Sequence, residues 1–212
     1  MSYIGSKPAN KPVVASDLDP AVITGQTALA VAPADTDEFL ISDAGVLKRL
    51  DASLVGADGI TEADTWYLTS DITVAASVTD ITANLSRSGT SGITVLGSGM
   101  SVSSGIFTFP STGYYLVQYT AQWDNAIGGV LWQQVRAYFT TDNSSYTQLN
   151  SPSSGHTGYF SQAFGSVIVD VTDTSNCKIK FATAAQQSSK GVLKGSSSQQ
   201  ETGFSFIKIA NT

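Results

Sequence analysis

The chain has 212 residues, room for one full domain plus an extension or for two small domains. Charged residues make up 13% and hydrophobic residues 42%, with 19 Gly and few Lys and Glu, a composition that favours strands and turns over helices. The formal net charge of -6 argues against nucleic acid or an anionic membrane as the main partner, and Cys177, the only cysteine, excludes an intrachain disulfide.

Residues 1–34 contain Pro8, Pro12, Pro20 and Pro33 and read as an extended segment, with one helical turn starting at Asp19. Residues 37–50 read as a β-hairpin. Glu38-Phe-Leu-Ile-Ser and Val46-Leu-Lys-Arg-Leu are strand patterns, and Asp43-Ala44-Gly45 between them predicts a three-residue turn with a bulge. An isolated hairpin is marginal in water, so this one needs a partner. Asp51 is placed to cap a short helical turn, and Gly56-Ala-Asp-Gly59 reads as a linker, which sets the expected domains at 1–59 and 60–212.

Beyond the linker, strand patterns are expected at Thr65–Thr69, Asp71–Ala75, Ile81–Leu85, Ile93–Leu96 and Met100–Val102. Gly105–Trp123 is the densest aromatic stretch: two strand patterns joined by Pro110-Ser-Thr-Gly113. Its second strand splits by parity, with Tyr115, Val117, Tyr119, Ala121 and Trp123 on one face and Tyr114, Leu116, Gln118, Thr120 and Gln122 on the other. Both faces start apolar, which predicts that one packs in a core and the other meets a second chain. Val130–Thr141 is a long strand, with Trp132, Gln134, Arg136 and Tyr138 sharing a face, and Tyr146–Leu149 resumes after a turn at Thr141–Ser145. Asn150–Gly158 and Ala184–Thr202 read as loops, Phe164–Val171 and Cys177–Thr183 as strands, and Cys177 as a buried thiol. Eight or more strands at this spacing predict an all-β jelly roll or related sandwich.

Two resemblances sharpen this reading. The strand ending Phe107-Thr-Phe109-Pro110, a tight turn and Gly113-Tyr-Tyr115, together with the closing GFSFIKIA of residues 203–210, resemble the jelly-roll head shared by tumour necrosis factor and the globular head of complement. The resemblance implies a homotrimer with Tyr114, Leu116 and Gln118 at the threefold axis. Residues 33–56, PADTDEFLISDAGVLKRLDASLVG, resemble modules of bacteriophage tail-fibre and other virion proteins that join a distal domain to the particle. That resemblance implies that Phe39, Ile41, Val46, Leu47 and Leu50 anchor the chain to other virion proteins.

Candidate chemistry is sparse. Asp124, Asp142, Asp170, Asp173 and Glu201 sit at or beside predicted turns, where carboxylates serve the backbone, and His156 has no visible catalytic partner. Asp170 with Asp173 offers oxygens to a calcium ion, but the turn reading is preferred and neither metal nor cofactor is expected. Trp132, Tyr138, Tyr146, His156 and Tyr159 lie near predicted loops and are candidate glycan contacts, since aromatic faces stack on sugar rings. No apolar run reaches the length of a membrane helix, and MSYIGSKPANK lacks the apolar centre of a signal peptide. The expectation is therefore a non-enzymatic phage structural protein, made in the host cytoplasm and carried in the virion. The roles open to it are a trimeric short fibre for host attachment, a capsid or tail decoration protein, or a secreted trimeric signalling ligand.

Overall fold

The computed structural model describes residues 21, 25, 27, 33–34, 36–55, 59–87, 94–124, 130–156 and 160–212, with the backbone alone at Leu47, Ser53, Val130 and His156. The turn expected at Asp19, Ile93 of the strand expected over Ile93–Leu96, and Tyr159 lie outside the described residues. The chain divides into two compact units, Met1–Ala57 and Asp58–Thr212.

In the first unit, β1 (Glu38–Asp43) pairs antiparallel with β2 (Val46–Asp51). Asp43 faces Val46, so the turn holds two residues, not the three with a bulge that the sequence suggests. Ala44 (φ 50°) and Gly45 (φ 84°) are both left-handed, the arrangement whose twist matches that of paired strands. Ala44 is an uncommon occupant of that conformation, which is why the sequence pattern points to a different turn. A 3-10 turn, Ala52–Leu54, follows; Asp51 does not cap it with its side chain, and the Ala52 N–H instead donates to the Asp37 carbonyl (2.7 Å).

The second unit is two antiparallel sheets face to face. The first runs β4 (Ile72–Thr73), β15 (Val192–Leu193), β9 (Gly113–Asp124), β16 (Gly203–Ala210), β3 (Ala63–Leu68) and β6 (Leu85–Arg87), with β13 (Phe160–Val171) on the opposite edge of β9. The second runs β11 (Thr147–Asn150), β10 (Val130–Thr140), β14 (Lys178–Ala185), β8 (Ile106–Thr108) and β7 (Ser101–Ser103), with β12 (Ser153–His156) on β10 and β5 (Thr79–Asp80) on β14.

The parity of β9 sets the core. Tyr115, Val117, Tyr119, Ala121 and Trp123 are buried between the sheets, and the facing sheet contributes Val135, Ala137, Ile179 and Phe181. Phe107 of β8 is the hub: its ring meets Trp66, Phe181, Phe204 and Phe206 at centroid distances of 5.0 to 6.1 Å. Such pairs add about 0.5–1.5 kcal/mol each beyond the area they bury.

Several expected elements are redrawn. Ile81 is buried and its N–H donates to the Phe181 carbonyl, but the chain turns at once, with Asn84 left-handed (φ 60°), so residues 81–84 become a connection between β5 and β6, which begins at Leu85. Of Asp71–Ala75 only Ile72 and Thr73 pair, and Leu96 makes a single bridge to Ala63. The loop expected over Asn150–Gly158 contains β12, which pairs with β10, and the loop expected over Ala184–Thr202 contains β15, whose Leu193 is fully buried. Cys177 is buried one residue ahead of β14, with its N–H donating to the Asp173 carbonyl.

Candidate functional site

The outer face of the first sheet gathers apolar side chains that the register brings together. Alternate residues of β9 reach it: Tyr114 is 39% exposed, and Leu116 and Gln118 are half-buried. The three residues singled out from the sequence thus stand in one column, on the side of the strand away from the core. The flanking strands complete rows that sequence reasoning missed. Ile168 of β13 lies opposite Leu116, and Leu116 opposite Ile207 of β16, so three aliphatic side chains run side by side across three strands. On β13, Phe160, Phe164 and Ile168 are 59, 58 and 62% exposed.

The inner side of β13 explains this inversion. Facing the core it offers Ala163, Gly165, Val167, Val169 and Val171, none larger than valine, and Tyr119 lies across Gly165. A Cβ on Gly165 would fall 2.2 Å from the Tyr119 ring. The Tyr119 hydroxyl continues to the second sheet and donates to Asn150 Oδ1, while Asn150 Nδ2 donates to the Ser166 carbonyl (3.3 Å). Burial pushes the Tyr119 phenol well above its usual range. The large apolar residues of β13 therefore fall on the side that faces outward.

Beside the aliphatic row lies a hollow of about 330 Å³ walled by Gln118, Gln122, Gln162 and Phe164, in which Gln162 Nε2 donates to Gln122 Oε1 (2.7 Å).

The outer face of the second sheet is different. Trp132, Gln134, Arg136 and Tyr138 line β10 there, all half-buried. Tyr138 and Tyr146 flank Lys180, whose ammonium lies 5.9 and 4.6 Å from their ring centroids and 2.6 Å from Asp80. Trp132 is six residues from Tyr138 on the same strand face, about 20 Å away. Of the candidate glycan contacts, Tyr138 and Tyr146 cluster, Trp132 stands apart, and the His156 side chain and Tyr159 lie outside the described residues.

In the hairpin, register places Phe39, Ile41, Val46 and Leu50 on one face. Phe39 and Val46 are exposed, Ile41 and Leu50 half-buried, and Leu47 pairs with Ser42 through the backbone.

The carboxylates serve the backbone or ion pairs. Asp142 Oδ1 accepts from the N–H groups of Ser145 (2.7 Å) and Ser144 (2.9 Å) and from the Thr140 hydroxyl, which hold the carboxyl far below its usual range. Asp173 accepts from the Ser175 N–H (2.7 Å) and the Asn176 amide, with its pKa lowered in the same way. The buried Asp64 accepts from Arg87, from Trp66 Nε1 (2.8 Å) and from the Met100 N–H (2.8 Å), which ties three segments of the sandwich together. Among the described residues no cluster of three or more His, Cys, Asp or Glu is placed to hold a metal ion.

The two-sheet topology defines a jelly roll of the tumour-necrosis-factor kind. No family model and no curated protein sequence matches the chain. Among solved structures, murine APRIL at pH 5.0 superposes with a TM-score of 0.51 at 11% identity, over 70% of this chain and 98% of that one. Eiger TNF from S. frugiperda gives 0.50 at 12% identity, over 71% and 93%. The PRD1 vertex protein P5 overlaps at 0.45 with 16% identity, over 71% and 99%. At these identities the likeness is one of fold.

Proposed function

We propose that this is a non-enzymatic bacteriophage virion protein. It associates as a homotrimer through the outer face of its first sheet, grips the particle through the hairpin of its first unit, and presents the jelly-roll head for attachment to the host surface. The observation that carries the association is the row Ile168, Leu116 and Ile207 with the exposed Phe160 and Phe164 beside it. Fully covering one such side chain contributes about 1.5–3 kcal/mol, so three copies sharing this face gain enough to offset ordering them. Support for the virion assignment is the resemblance of residues 33–56 to phage modules and the four apolar side chains that share one face of a hairpin too small to be stable alone.

Light scattering on the full chain, and on a fragment starting at Ala57, tests the association. Three chains of 22.1 kDa give about 66 kDa for the full protein. Leu116→Asp places a charge in the centre of the row, and monomers are expected; a variant that keeps the parent mass, or a parent that is itself a monomer, sinks the proposal. Mass spectrometry of purified particles tests the virion assignment.

A further inference from the structure

Arg136 stands out on the second sheet's outer face. Its Nε donates to Gln134 Oε1 (3.0 Å) and its Nη1 to Gln148 Oε1 (3.1 Å), and Gln148 Oε1 also accepts from the Tyr138 hydroxyl (3.2 Å). Both of its partners are neutral amides. Among the described residues no carboxylate lies within ion-pair distance of it, although the chain is acidic overall; the neighbouring cation, Lys180, is already paired with Asp80. The two glutamines fix the plane of the guanidinium and leave both N–H groups of Nη2 and one of Nη1 to donate, a fork that matches a carboxylate. Opposite Arg136 and Gln134 on the next strand are Ala182 and Ala184, which carry no charge to pair with the guanidinium. Tyr138 lies two residues along the same face, about 7 Å away, and its hydroxyl and Arg136 share Gln148 Oε1 as acceptor.

We propose that Arg136 anchors a carboxylated sugar unit of a surface polysaccharide, with Tyr138 and Trp132 as stacking platforms along the chain. This rests on the reading of the head as an attachment module. A peptide ligand fits less well, because β10 is paired on both edges and offers no free backbone groups to an added strand. A flat face with side-chain donors and ring platforms suits a polysaccharide laid across it.

The test is calorimetric titration of the full protein with a uronic-acid oligosaccharide, a neutral glucose oligosaccharide of equal length and a polyglutamate of equal charge, with molar mass recorded on the same sample. The uronate is expected to bind, and the other two are not. Arg136→Gln weakens uronate binding about tenfold or more, as expected for a lost charged hydrogen-bond pair. Arg136→Lys, which keeps the charge without the fork, recovers part of it. Unchanged melting of these variants shows that the fold is kept. Absent uronate binding, polyglutamate binding as tight as uronate binding, or an Arg136→Gln variant that binds like the parent each overturns the proposal. A trimer without uronate binding removes this inference alone, and uronate binding by a monomer removes the assembly proposal while leaving this one standing.

Discussion

Replacing Gly165 by alanine is expected to cost more than any other single methyl on β13. The added Cβ would lie 2.2 Å from Tyr119 Cζ and 2.5 Å from its Cε2 and hydroxyl oxygen. Tyr119 is almost fully buried, so its ring has nowhere to move without displacing neighbours such as Phe181, whose ring centroid is 5.1 Å away. Forcing a methyl into a packed core costs about 1–3 kcal/mol, and a displaced ring also gives up its bond to Asn150, leaving buried polar atoms without partners at about 1–3 kcal/mol more. The sum of about 2–6 kcal/mol corresponds to a fall of roughly 4–24 °C in Tm for a domain of this size. Thermal unfolding followed by near-ultraviolet circular dichroism measures it. A double-mutant cycle with Tyr119→Leu sharpens the argument, because in the leucine background the same methyl finds room and its cost falls. A Gly165→Ala variant that melts within a degree or two of the parent, or a cycle with no coupling, refutes the account of why β13 is small inside and large outside.

Asp64→Asn keeps the shape but removes the charge that Arg87, Trp66 and Met100 share, and should cost about 2–4 kcal/mol in urea unfolding. Stability should also fall in acid. Asp142 and Asp173 have depressed folded-state pKa values, through backbone N–H donors first. So does Asp71, where burial opposes the shift but the Gly195 N–H and Lys194 outweigh it. Stability linked to a depressed carboxyl is present above the unfolded value of about 3.9 and is lost as pH falls through the folded value. Tm should therefore hold between neutrality and about pH 5 and drop below about pH 4, and a smaller acid drop in Asp142→Asn checks the assignment. Gly45→Val puts a β-branched residue at φ 84° and should loosen the hairpin by about 1–2 kcal/mol, read as faster amide exchange in β1 and β2 with the second unit unaffected.

What the sequence could show depended on how strongly side-chain size and polarity alternate. In β9 they alternate over twelve residues, so the core face and the open face are both readable, including Tyr114, Leu116 and Gln118. In the first half of β13 the buried side carries alanine and glycine and the open side phenylalanine, so hydrophobic size points the wrong way there until Tyr119 is seen across Gly165. That is why Phe164 gives no sign in the sequence of its place on the open face. The segment Ser153-Ser-Gly-His has no apolar residue to announce a strand, and β12 exists because β10 is long enough to pair with it. The hairpin is legible from its two apolar runs, whereas its turn depends on a backbone conformation that alanine seldom takes. Arg136 carries no sequence signal, since its significance comes from having amides rather than carboxylates as neighbours.

The placement of β16 has a consequence for how the protein is made. This strand, Gly203–Ala210, is the last in the chain order, yet it lies between β9 and β3, the latter being the first strand of its unit. Until it emerges from the ribosome, β3 and β9 each lack their shared neighbour, and Phe204 and Phe206 are missing from the aromatic hub. A chain interrupted before β16 therefore cannot close the sandwich, and such incomplete copies stay open to proteases.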